Sequence, residues 1–179
     1  MRFRKFITLY LYSLLMTDLN LTLLTSNEKY AANFKQGGLT APPSKKIAVL
    51  ACFDARISVI DILGLNLGDA HVIRNAGGIV TDDVIRSLII SHELLGTEEF
   101  IVINHTDCGM AKFKDEDLQK KISEKYNVNG SDLKFYTFSD LKENLLEQIN
   151  KIKSSQFFPG IPIHGYIYDV KTGRLENVV

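Results

Sequence analysis

The chain has 179 residues, an ordinary apolar fraction, and 21 basic side chains balanced by 21 acidic ones. That is enough for one domain with a substantial core, and the zero net charge excludes the broad positive field that nucleic-acid binding needs. Two cysteines exclude a disulfide-stapled secreted scaffold, and a thiol pair near a histidine suits a metal better than a disulfide.

The first fifteen residues stand apart. Met1 to Lys5 is basic and Phe6 to Met16 is mostly apolar, a pattern resembling the n- and h-regions of a signal peptide. The apolar run is too short to span a bilayer, and no small-x-small cleavage site follows it. The expectation is therefore an extension over residues 1–15, ahead of a natural start at Met16-Thr17-Asp18. Export is the alternative. No stable membrane association is expected, and thiolate ligands fit the reducing cytoplasm.

Residues 16–179 read as one domain. From Asp18 to Phe34, Leu19, Leu23, Tyr30 and Phe34 recur at helical spacing and predict a helical arm ended by Gly37-Gly38. Ala41-Pro42-Pro43-Ser44 is an extended connector. Ile47 to Ala51 is a buried strand, Ile57 to Leu63 a short helix closed by Gly64, and His71 to Arg74 a second strand leading into the turn Asn75 to Gly78. Thr81 caps a helix running to Leu95, with Asp82 and Asp83 suiting its macrodipole and Gly96 stopping it. Phe100 to Asn104 is the third strand. Lys112 to Tyr126 is a polar helix with a solvated face. Ser139 caps an amphipathic helix to Lys153 that presents Leu141, Leu145 and Ile149 on one face. Ile163 to Val170 is the last long strand, and Lys171-Thr172-Gly173 turns back into Arg174-Leu175. Strands alternating with helices predict an α/β fold, a mostly parallel central sheet flanked by helices.

Ligands in such sheets sit at the carboxyl ends of the strands. Cys52 ends the first strand, and His105 and Cys108 follow the third. If these strands are neighbours, two thiols and an imidazole converge, and three protein ligands with one open position describe a catalytic zinc site. Softness selects Zn2+ over magnesium or calcium. Two thiolates cancel the metal's charge, so nearby groups must help to acidify water. Asp54 lies two residues from Cys52, and Arg56 can hold it in a bidentate pair. Asp54 is also the obvious carboxylate for the fourth metal position when the site is closed. No G-x-G-x-x-G follows the first strand, which argues against a nucleotide binder.

Cys52-x-Asp54-x-Arg56 and His105-x-x-Cys108, with Arg74-Asn75-Ala76-Gly77-Gly78 between them, resemble the β-class carbonic anhydrases. His105-Thr106-Asp107-Cys108-Gly109-Met110 looks like the short bacterial branch, and the resemblance covers the chain from about Met16 onward. It implies reversible hydration of CO2 to bicarbonate and a proton by attack of zinc-bound hydroxide. Cys52, His105 and Cys108 match the family's zinc ligands, and Asp54 and Arg56 its catalytic dyad. A homodimer or homotetramer with one zinc per subunit is implied, with the N-terminal helix as a candidate partner-wrapping arm.

Gly77 and Gly78 precede a helix, where backbone N–H groups can approach an anion such as bicarbonate. Asp107 either orients the ligands on each side of it or faces outward. His71 is read as an ordinary histidine rather than a proton shuttle, His92 as surface or interface, and His164 as structural. Gly109 and Met110 shape the pocket wall, and Phe53 is expected to pack beneath the site. The alternatives are a CS2 or COS hydrolase on the same scaffold, or a non-catalytic zinc-stabilised module.

Overall fold

The computed structural model describes residues 18–179, so the signal-like segment 1–15 lies outside the described residues. Two units are present, one reaching to Leu39 and the other spanning Thr40–Val179. In the first, helix α1 covers 18–32. It ends where the Asn33 side chain donates to the Lys29 carbonyl at 2.8 Å, satisfying one of the last-turn acceptors that a helix leaves open. Leu19, Leu21, Leu23, Leu24 and Tyr30 are exposed on it. Among the described residues no helix is long and apolar enough to cross a membrane.

The second unit runs β1 (Ile47–Cys52), α2 (Val59–Leu63), β2 (Ala70–Asn75), α3 (Asp82–Glu93), β3 (Glu99–His105), α4 (Asp115–Tyr126), α5 (Leu141–Lys153), β4 (Ile163–Tyr168) and β5 (Leu175–Asn177). The sheet order is β2-β1-β3-β4-β5. β1 is parallel to both β2 and β3, β3 is parallel to β4, and only β5 is antiparallel. The chain therefore leaves β1 toward one side for β2 and crosses to the other for β3. That reversal opens a crevice at the carboxyl ends of β1 and β3.

β1 is apolar throughout because both of its faces are covered. Ala48 and Leu50 pack with Val84, Leu88, Phe100, Val102, Leu145 and Ile149 on one face. Val49, Ala51 and Cys52 pack with Ile57, Val59, Ile103 and Cys108 on the other. On β4, Gly165 lies directly under α5. A Cβ there would collide with Ile149 Cδ1 and would stand 3.5 Å from Leu145 Cδ2.

Thr81 caps α3 as expected, accepting from Val84 N–H at 3.4 Å. Several boundaries differ from the sequence reading, four of them near the elements that carry or support the site. β1 and β3 each run one residue further, so Cys52 and His105 are the last residues of their strands. α4 begins at Asp115 because Gly109–Ala111 forms a separate 3-10 turn. The cap of α5 is Asp140, whose carboxylate accepts from Glu143 N–H at 2.8 Å, and not Ser139.

Asp115 ties α4 to the segment before α5. Its carboxylate accepts from Phe135 N–H (2.8 Å), Tyr136 N–H (3.3 Å), Thr137 N–H (3.0 Å) and the Thr137 hydroxyl (2.7 Å). The bond from the Thr137 side chain, followed by the backbone donors and opposed by desolvation, pulls its pKa down to about 2. A carboxylate depressed on folding stabilises the folded state above its unfolded pKa, about 3.9, and that contribution is lost as pH falls toward the folded value. Asp115→Ala is expected to cost about 1–3 kcal/mol at neutral pH. In urea titrations, the gap between variant and parent should close as pH drops from about 4 toward 2.

Candidate metal centre

The parallel pairing of β1 with β3 brings the two strand ends together, and the following turn returns the third ligand. Asp107 takes φ +56°, a region that aspartate tolerates, and the chain folds back so that Cys108 faces the site. One donor atom each from Cys52, His105 and Cys108 lies within 4.8 Å of the others, and all three residues are buried. Both cysteines are free thiols.

His105 is the most telling member. Its Nδ1 lies 2.9 Å from the Thr106 carbonyl, which can only accept, so Nδ1 carries the proton. Nε2 then offers a lone pair, and it is buried with no hydrogen-bond partner. An orphaned buried polar atom costs about 1–3 kcal/mol. A metal ion in contact with Nε2 and both sulfurs removes that cost, so the donor set fits zinc.

The thiols share their protons unequally. Cys52 is pushed down, first by the hydrogen bond from Cys108 and then by His105 and the Asp54 and Gly77 N–H groups, against the effect of burial. Cys108 is pushed up by that same bond and by burial. Burial works to lower the pKa of His105, but the neighbouring Cys52 sulfur, the Thr106 carbonyl and the Asp54 carboxylate raise it overall. The Gly77 N–H donates to Cys52 Sγ at 3.3 Å.

Asp54 and Arg56 form the expected pair. Arg56 Nε donates to Asp54 Oδ1 at 2.9 Å and Nη2 to Oδ2 at 2.8 Å, while the Arg56 backbone N–H adds a third bond at 2.9 Å. These bonds hold the Asp54 carboxyl well below the usual carboxylate range. Its Oδ2 is 3.9 Å from His105 Nε2, which places the carboxylate beside the buried donors.

Asp107 neither touches the ligand atoms nor simply faces outward. It accepts from Arg56 Nη1 at 2.9 Å and pairs with Lys112, and these two contacts, Lys112 first, pull its pKa down to about 2. Arg74 braces the β1 end, donating to the Cys52 carbonyl at 3.1 Å and the Asp54 carbonyl at 2.7 Å.

Gly77 and Gly78 are buried, with φ +82° and +63°. A Cβ at Gly78 would stand 3.1 Å from Cys52 N and 3.2 Å from Ala51 C, so this turn leans directly on the end of β1. Met110 borders the same turn, its Cγ 3.1 Å from where a Gly77 Cβ would lie.

The remaining histidines are occupied elsewhere. His71 contacts Ser91 Oγ (2.7 Å) and the Ala41 carbonyl (3.1 Å), toward the opposite end of the sheet. His92 contacts the Thr97 carbonyl at 2.7 Å, and His164 pairs with Glu99 at 3.0 Å.

Phe53 corrects an expectation. It does not pack beneath the site but is 61% exposed. Cys52 points inward, and strand alternation turns the next side chain out, while the Phe53 N–H continues the ladder to the Asn75 carbonyl at 2.9 Å.

The sequence reading missed Asn104, Asn144 and Gln148, three buried amides behind the centre. Asn104 interrupts an apolar strand next to His105, a signal that could have been read. Asn144 and Gln148 sit at i, i+4 beside Leu145 and Ile149, on the face read as purely apolar.

The carbonic anhydrase family model matches residues 47–175. Beta-carbonic anhydrase 1 of Mycobacterium tuberculosis is 44% identical over 156 residues, covering 87% of this chain and 94% of that one. The crystal structure of a carbonic anhydrase from Streptococcus mutans superposes with a TM-score of 0.85 at 42% identity, covering 88% of this chain and 96% of that one. A carbon disulfide hydrolase of Acidithiobacillus thiooxidans is 34% identical over 157 residues, covering 75% of this chain and 78% of that one. The matched span runs through both strand ends that converge on the buried donors, and on sequence and fold together the chain belongs to the β-carbonic anhydrase family.

Proposed function

We propose that the protein is a zinc-dependent carbonic anhydrase interconverting CO2 and bicarbonate, with Cys52, His105 and Cys108 holding the metal and Asp54 and Arg56 acting on the water. The observation that carries this reading is the unpartnered, buried Nε2 of His105 within reach of two buried cysteines, beside a carboxylate locked in an arginine fork.

When bound, zinc supplies the Lewis acidity that lets a water molecule lose its proton near neutral pH. The chain's own residues do the rest. Asp54 accepts a hydrogen bond from the attacking water and turns its lone pair toward the CO2 carbon. Arg56 keeps Asp54 ionised, and by gripping both carboxylate oxygens it would leave the fourth metal position to water. Asp107 and Lys112 steady Arg56 from the solvent side. The proton leaves through the half-exposed mouth formed by Asp54 and Arg56. The Gly77–Gly78 turn forms the wall at Cys52 and is the proposed contact for substrate and the bicarbonate anion. Each turnover takes up CO2 and water and releases bicarbonate and one proton.

The exposed apolar side chains of α1 support a homodimer or homotetramer, with this helix as the joining element. Free thiols in the site support a cytoplasmic location.

Stopped-flow CO2 hydration on zinc-quantified protein, across roughly pH 6.5 to 9 where such water titrates, is expected to show turnover rising with pH. Cys52→Ser should lose both zinc and turnover. Zinc-loaded protein that hydrates no CO2 but releases sulfide from CS2 or COS would replace this reading with the hydrolase one. Zinc without either activity would leave a non-catalytic module.

Arg56→Gln removes the fork and frees Asp54 to reach the metal. Hydration is expected to fall by about 100-fold or more with zinc content unchanged, as measured by the same assay and by metal analysis.

A further inference from the structure

Three amide side chains run through the core behind the centre, and the hydration chemistry uses none of them. Asn104, Asn144 and Gln148 are only 1%, 4% and 1% exposed. Their hydrogen bonds all run one way. Gln148 Nε2 donates to Asn144 Oδ1 (2.9 Å), Asn144 Nδ2 to Asn104 Oδ1 (2.8 Å), and Asn104 Nδ2 to the Gly77 carbonyl (3.0 Å). The Val80 N–H then donates back to Gln148 Oε1 at 2.9 Å. The ring thus begins and ends on one short turn, residues 77–80. Asn75 grips the same turn from its other side, accepting from Ile79 N–H at 2.8 Å and donating to the Ile79 carbonyl at 2.7 Å.

This turn delivers one thing to the centre, the Gly77 N–H on Cys52 Sγ. Only glycine fits there: a Gly78 Cβ would press on Asn104 Nδ2 at 3.0 Å and on the β1 backbone. Buried amides are a poor source of net stability, since well-packed apolar side chains in their place are often as stable or more so. A fully satisfied buried network does fix geometry.

We propose that Asn104, Asn144 and Gln148 are positioning residues for the metal centre, clamping the Gly77 peptide so that its N–H engages Cys52 Sγ and sets the donor strength of that sulfur. The proposal rests on the reading of Cys52 as a zinc ligand. An N–H bond to a ligating sulfur orients it and draws electron density from it, and loss of such an outer contact typically costs about 10- to 100-fold in metal affinity.

Asn144→Leu removes the middle of the ring, and Asn144's side-chain bonds are to Asn104 and Gln148 alone. Three readouts are expected to move. The zinc dissociation constant, from chelator competition, should rise by about tenfold. The sulfur-to-metal charge-transfer band of the cobalt(II)-loaded protein should shift. In metal-free protein, the Gly77 amide should lose its protection from hydrogen exchange. Ile152→Val, a core change on the same helix, should leave all three unmoved. Gln148→Met cuts the ring at its far end and gives the same readings should Asn144→Leu fail to fold.

Unchanged zinc affinity and an unchanged cobalt band in a folded variant would overturn the proposal. So would fast exchange of the Gly77 amide in the parent protein, a result that needs no variant. A parent protein that takes up cobalt without any charge-transfer band would instead remove the thiolate-metal reading itself.

Discussion

The centre depends on one constraint, the parallel pairing of β1 with β3 in the middle of the sheet. Its register sets Ala51 opposite Ile103, so Cys52 and His105 finish their strands side by side. Neither residue could reach the other from a sheet that kept β1 and β3 apart. The pairing is secured by apolar side chains on both faces of β1. Burial of the sheet and convergence of the ligands are therefore the same event.

Around that event the chain arranges its charges in sequence. The buried thiols and imidazole lie innermost, Asp54 is held at their edge, Arg56 grips Asp54, and Asp107 and Lys112 grip Arg56 toward the solvent. Each charge is satisfied by its outer neighbour, so the innermost carboxylate is kept ionised without being desolvated alone. A single Asp–Arg pair at a surface would contribute little. Here the pair is bidentate, braced by a backbone N–H and tied to the strand end by Arg74.

Much of this was legible in the sequence. Uninterrupted apolar runs marked β1 and β3, and the cysteines and histidine at their ends marked the centre. The glycines after β2 marked the turn, and the spacing of Asp54 and Arg56 marked the pair. What was not legible depends on contacts between distant segments. The grip of Asp115 on residues 135–137 spans some twenty residues, and no local pattern announces it. The choice of Asp140 over Ser139 as a helix cap turned on a single residue of backbone geometry. Asn144 and Gln148 were hidden because polar residues on an amphipathic helix are read as solvated by default. Phe53 was misplaced because its neighbour's importance was extended to it, against the strand's own alternation.

The close seat of α5 on β4 carries a consequence for how this sequence can drift. Gly165 has no side chain because Ile149 already fills the space one would need. The two positions therefore hold a fixed volume between them. A methyl gained at 165 has to be matched by carbon lost at 149, and neither step is tolerated as well alone as the two are together. Substitutions at these positions should travel as a pair through the history of the chain, recording the distance between helix and strand without reference to the chemistry at the other end of the sheet.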